Sequence, residues 1–259
     1  MKFRWVAGAM AVVLLTFSLY IAFTVGKSDL IGSGLVSRDN QQREISGSNA
    51  AMDIQAQKDL EKNTLPDDEY LEASYFIGDS ICLGLSGYGF LPEEQVLAHV
   101  DMGVRSIYDF AFPNSRGEGS IDQAVKELQP AYIYIWLGMN DFRLTTQLEY
   151  IENMMTLVKN LRRVSPDSKI TVMSISPILA SHPWDANDEI DGYNTAMRHA
   201  VEQSDIPELY YLDISAGLKD EDGALMDDTP AYDAGDGLHL SKRAYPIVLE
   251  EILAAKMPI

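Results

Sequence analysis

From about Glu69 to the C-terminus, short and nearly uninterrupted apolar runs alternate with longer segments whose apolar residues recur every three or four positions. The short runs, residues 75–78, 95–101, 131–137, 169–175 and 209–214, have the character of strands buried on both faces. The longer segments predict helices over 121–128, 148–164, 190–203 and 242–255, with a further helix starting at Ile81. In the second of these, Ile151, Met154, Met155, Val158 and Leu161 share one face, and Ser241 is placed to cap the last. Strands and helices that alternate in this way build a parallel sheet covered by helices on both sides. The expected fold is α/β: a three-layer α/β/α sandwich of flavodoxin-like type around a five-stranded parallel sheet, over residues 69–259.

A different pattern precedes that domain. Lys2 and Arg4 are followed by 22 uncharged and mostly apolar residues, 5–26, which end at Lys27. About 20 apolar residues span a bilayer as a helix, and the flanking positive charges place the N-terminus in the cytoplasm. Residues 1–26 therefore read as an uncleaved single-pass anchor. The competing reading is a cleaved signal peptide, whose apolar region is usually shorter (~7–15 residues) and ends at a small-x-small site. No clear Ala-x-Ala follows here, and no cysteine lies nearby for a lipid anchor. Both readings export everything after Gly26. Residues 27–68, rich in Gly, Ser, Asn, Gln and Asp, read as a polar stalk, with a short helix expected over 50–62.

Charge narrows the choice of partner. All 39 Asp and Glu but only 18 of the 20 Lys and Arg follow Gly26, which gives that part a net charge of −21. Such a surface repels nucleic-acid phosphates and anionic lipid headgroups, so no nucleic-acid partner is expected. Cys82 is the only cysteine, which excludes an intramolecular disulfide and any cysteine-based metal cluster. Its apolar setting makes it a small core residue.

Three strand ends carry unusual polar residues: Gly78-Asp79-Ser80, Gly138-Met139-Asn140-Asp141, and Asp236-Gly237-Leu238-His239 before the last helix. In a parallel sheet such ends share one edge, where open α/β folds bind ligands. A serine hydroxyl needs a base to take its proton, and histidine suits that task near neutral pH. The histidine needs a partner on its other nitrogen, and Asp236 stands three residues before His239. The oxyanion of a tetrahedral intermediate needs donors. These are expected from the N–H of Ser80, the amide of Asn140 and the N–H of Gly103, with Gly117 and Gly119 competing with Gly103 for the last role. The plain alternative for Ser80 is a helix cap.

On these residues the sequence resembles the GDSL/SGNH hydrolase family over about 69–259. The serine block matches at Gly78-Asp79-Ser80, with Ile81 where the named motif has leucine. The Gly-x-Asn-Asp block matches at Gly138 to Asp141, and Asp-x-x-His at Asp236 to His239. The glycine block is the weakest match. The resemblance implies a serine esterase that works through an acyl-enzyme, without metal or organic cofactor. Together with export and the acidic surface, it implies O-acyl esters, above all O-acetyl groups on carbohydrate or cell-wall polymers. Within the same chemistry stand a carbohydrate O-acetyltransferase, a lysophospholipase and a thioesterase. From another class stands a non-catalytic wall-binding module, against which the intact Ser80, Asn140, Asp236 and His239 speak. His182 and Trp184, just past the fourth strand, are possible substrate contacts, though a plain surface loop accounts for them as well. His99 and His199 read as structural. The run Asp220-Glu221-Asp222 lacks the spacing of an EF-hand loop, and no Gly-x-Ser-x-Gly elbow or P-loop is present.

Overall fold

A computed structural model describes residues 64–227 and 231–258, all within the unit Asn63–Ile259. The expected membrane anchor, the stalk up to residue 63 and the helix over 50–62 lie outside the described residues. Among the described residues no helix is long and apolar enough to cross a membrane.

Five strands form one parallel sheet in the order β2-β1-β5-β6-β7. They are β1 (Ser74–Gly78), β2 (Val96–Ala98), β5 (Tyr132–Trp136), β6 (Lys169–Met173) and β7 (Leu209–Leu212). Helices α1 (Asp67–Glu72), α2 (Ser80–Gly87), α3 (Ile121–Leu128), α4 (Gln147–Val164), α5 (Asn187–Glu202) and α6 (Tyr245–Ala254) complete the unit. Right-handed crossovers that run outward from β1 in both directions place α2 on one face and α4 and α5 on the other. Side chains alternate accordingly along β5. Tyr132 meets Tyr70 of α1, the Tyr134 hydroxyl bonds that of Tyr70 at 2.8 Å, and Trp136 meets Tyr245 of α6. Ile133 and Ile135 are fully buried and point the other way.

Several elements differ from the sequence expectation. The second strand keeps only three of its expected residues. Gln95 belongs to a 3₁₀ turn, and its buried amide donates to the carbonyls of Leu71, Glu72 and Ser74. Asp101 takes a positive φ of 63°, which ends any extended run. The apolar runs outlast the ladders of β6 and β7 because Ser174 Oγ, not a strand partner, accepts the N–H groups of Ile214 and Ser215. An unexpected antiparallel hairpin, β3 (Phe112–Asn114) with β4 (Gly117–Gly119), precedes α3. Ser241 opens a turn before α6 and does not cap it: its hydroxyl donates to the carbonyl of Ala231, and the helix starts at Tyr245 with Pro246 in its first turn. The buried face of α4 centres on Tyr150, Met154, Leu157, Val158 and Leu161, so Ile151 and Met155 lie at its margin.

Candidate active site

Chain direction within the sheet reverses next to β1: the first crossover leads outward to β2, and the chain then returns to pair β5 on the other side of β1. A crevice for ligands opens at such a switch point, beyond the strands' C-terminal ends. Gly78 pairs with both Ala98 and Trp136, so the three strands end level with one another. Ser80 follows at once as the first residue of α2.

The turn from β1 into α2 is dictated by contact. A Cβ on Gly78 would lie 2.2 Å from Cys82 Cβ and 2.6 Å from the Trp136 carbonyl oxygen, so only glycine fits. Asp79, not Ser80, caps α2, with its Oδ1 accepting the N–H of Ile81 at 2.9 Å. The Ser80 hydroxyl is thereby left free, and its Oγ stands 2.9 Å from His239 Nε2.

His239 and Asp236 come from one ordered loop. His239 Nδ1 is 2.6 Å from Asp236 Oδ2, while Asp236 Oδ1 accepts the N–H groups of Leu238 and His239 at 2.9 and 2.8 Å. Partial burial raises the Asp236 carboxyl's pKa. The N–H and ring of His239 and the N–H of Leu238 outweigh that effect and hold it at about 2. The carboxylate therefore stays ionised down to about pH 2, and its bond fixes the proton on Nδ1 and leaves Nε2 to accept from Ser80. Asp233 braces the loop by accepting the N–H groups of Gly235 and Gly237. Gly237 has a φ of 80° that a larger residue would strain.

Two further loops flank Ser80, one after β2 and one after β5. Asn140 Nδ2 donates to the Met102 carbonyl at 3.1 Å, which leaves its second amide hydrogen free of that bond. Gly103 follows Met102, and its N–H donates to Ser106 Oγ at 3.2 Å. Asp141, fully buried, accepts the N–H groups of Val104 and Arg105. Gly117 and Gly119 belong to the β3–β4 hairpin, where Gly117 turns with a φ of 112° and Gly119 packs against Gln123 and Asn114.

His182 and Trp184 lie between the Asn140 and His239 loops. A Cβ on Gly237 would come within 3.1 Å of His182 Cδ2. The Trp184 N–H donates to His182 Nδ1, and its indole meets Phe142 edge-on. The Arg143 guanidinium stacks 5.2 Å above that indole, which is 39% exposed. His99 is clamped between Phe110 and Phe112 with its Nε2 on the Ala111 carbonyl, and His199 lies exposed on α5, so neither joins this group.

Asp79 also makes a stability prediction. Burial pushes its carboxyl up to about 7, against the pull of the Ile81 and Cys82 N–H groups. An unfolded aspartate releases its proton near ~4. Between about 4 and 7 the folded chain therefore holds a proton that the unfolded chain has lost, so stability falls as pH rises through that window. Asp79→Asn keeps an oxygen for Ile81 and removes the titration. Its melting temperature relative to the wild type should rise steadily from about pH 4 to pH 7 and then level off. A difference independent of pH in calorimetry would contradict this.

Comparison with known proteins agrees with this architecture. The model of the GDSL-like Lipase/Acylhydrolase family matches residues 76–247. No curated protein matches the sequence. A Streptococcus pneumonia structure described as a candidate platelet activating factor superposes with a TM-score of 0.53 at 18% identity, covering 79% of this chain and 98% of that one. A Bacteroides fragilis structure described as a candidate acylhydrolase gives 0.52 at 19% identity, over 70% and 85% of the two chains. A GDSL-like lipase from Bacteroides thetaiotaomicron gives 0.50 at 17% identity, over 70% and 86%. At these identities the likeness is one of fold. The family model covers well over half of the chain and contains every strand end described above, so the chain belongs to the GDSL-like Lipase/Acylhydrolase family and is a hydrolase.

Proposed function

We propose that the protein is a serine esterase in which Ser80 attacks an ester carbonyl, His239 takes and returns the proton, and Asp236 orients and balances the imidazole. The observation that carries this reading is the continuous relay from Ser80 Oγ to His239 Nε2 (2.9 Å) and from His239 Nδ1 to Asp236 Oδ2 (2.6 Å). The donors for the oxyanion are the N–H of Ser80 at the start of α2, the second amide hydrogen of Asn140, and the N–H of Gly103 once the oxyanion displaces Ser106 Oγ. In the first half-reaction the Ser80 Oγ–carbonyl bond forms, the ester C–O bond breaks, and the alcohol leaves with the proton from His239. Water, deprotonated by His239, then releases the acid and restores Ser80.

The substrate class in this reading is a small O-acyl ester, above all an O-acetyl group on carbohydrate or a cell-wall polymer. Support comes from the acidic surface, which disfavours anionic lipid, and from Trp184, a partly exposed aromatic shelf beside the His239 loop. Hydrolysis of p-nitrophenyl acetate should exceed that of long-chain esters, and acetylated polysaccharide should release acetate. A preference for long-chain or phospholipid esters would overturn the substrate assignment.

The same reading places the catalytic unit outside the cytoplasm on a single-pass anchor, because residues 5–26 carry no charge and follow Lys2 and Arg4. In cells the protein should stay in the membrane fraction after carbonate washing and run at its full 28.8 kDa. A mature form in the medium that begins near Gly26 would show cleavage.

A further inference from the structure

Asn140 and Asp141 are consecutive, yet their side chains do opposite things to the same stretch of backbone. Asn140 Nδ2 donates to the Met102 carbonyl at 3.1 Å. Asp141 Oδ2 accepts the N–H of Val104 at 2.8 Å, and its Oδ1 accepts that of Arg105 at 3.2 Å. Three bonds thus tie the loop after β5 to the loop after β2. These strands are not neighbours, because β1 lies between them. The clasp therefore crosses over the end of the strand that delivers Ser80.

Gly103 sits inside the clasp, between Met102 and Val104. A Cβ there would lie 2.7 to 2.9 Å from the carboxylate carbon and both oxygens of Asp141. No real Cβ tolerates that distance, so the absence of a side chain at Gly103 is what lets the backbone close onto the carboxylate. Asp141 is fully buried, and among the described residues the one cation beside it, Arg105, keeps its Nε 3.9 Å away. A buried carboxylate held chiefly by backbone donors is costly to keep and sensitive to the loss of any of those donors.

We infer that Asp141 is a positioning residue: it sets the separation between the donors on the two loops, the Asn140 amide and the Gly103 N–H, without touching substrate. The inference rests on the proposed oxyanion role of Asn140 and adds the element that aligns that role with the second loop. Donors on separate loops stabilise an oxyanion only when both reach it at bonding distance, and misplacement by about 1 Å can cost ~10²-fold in rate.

The test is a double-mutant cycle on the full-length protein with p-nitrophenyl acetate. Asp141→Asn is nearly isosteric but offers one acceptor oxygen where two N–H groups need one each. It should lower kcat by roughly 10–10²-fold with KM within a few-fold of wild type. In the Asn140→Ala background the same substitution should cost less than about 3-fold, because the pair it aligns is already broken. A merely structural role would lower the melting temperature and depress kcat by the same factor in both backgrounds. Should Asp141→Asn show no cooperative melting, Asp141→Ser, smaller and with one acceptor, takes its place in the cycle. Equal losses in both backgrounds, or no loss at all, would overturn the positioning role. An Asn140→Ala variant with unchanged kcat would overturn the oxyanion assignment itself, so the two failures are told apart.

Discussion

Ser80→Ala should lower ester hydrolysis by about 10⁴–10⁶-fold while the protein melts within a degree or two of wild type. The second half of that expectation comes from the local structure. Asp79 supplies the cap of α2, so the Ser80 hydroxyl has no helix-terminal bond to lose. His239→Ala should be as severe, and the double variant should be little worse than either single one, because a nucleophile without its base is nearly as inert as no nucleophile. Multiplicative losses would mean that Ser80 and His239 do not work as a unit. Asp236→Ala should cost less than either, because its carboxylate orients the imidazole but makes or breaks no covalent bond.

Asn140→Ala should lower kcat by ~10²–10³-fold with little change in KM, the loss expected for one oxyanion donor that acts mainly in the transition state. The bond to the Met102 carbonyl adds a modest structural effect, about 1 kcal/mol of stability. Asn140→Asp should be at least as harmful. It sets a carboxylate where negative charge develops and turns an acceptor towards the Met102 carbonyl. A change in KM with kcat preserved would place Asn140 in ground-state binding instead.

Ser80 and Asn140 were legible because each follows closely on a strand's end, and parallel topology brings such ends to one edge. Asp236 and His239 were simpler still, since three residues of one loop set their contact. Other features depend on partners far away in sequence. Nothing in Gly78-Asp79-Ser80 tells which residue caps α2, because Asp and Ser are equally good caps. The second role of Asn140-Asp141 was hidden for the same reason: the dipeptide signals a strand end, whereas its bonds reach across 36 to 38 residues to Met102, Val104 and Arg105. Gly103 could be read as a place of close approach, but what approaches it is the carboxylate of Asp141. The β3–β4 hairpin was missed because Pro113, Gly117 and Gly119 carry loop chemistry, and its strands are three residues each. Trp184 read as a loop residue or a substrate contact, and its edge-on contact with Phe142, which ties it to the loop that holds Asn140, has no signal in the sequence.

The central claim is that Ser80 carries the acyl group during turnover. The most direct measurement is peptide-mapped mass spectrometry of the full-length protein treated with a fluorophosphonate, which traps a serine activated by a neighbouring base. The account predicts one adduct per chain, located on Ser80, formed as esterase activity disappears, and absent from Ser80→Ala and nearly absent from His239→Ala. Full loss of activity with the adduct on another residue, or undiminished activity with Ser80 fully modified, would contradict it.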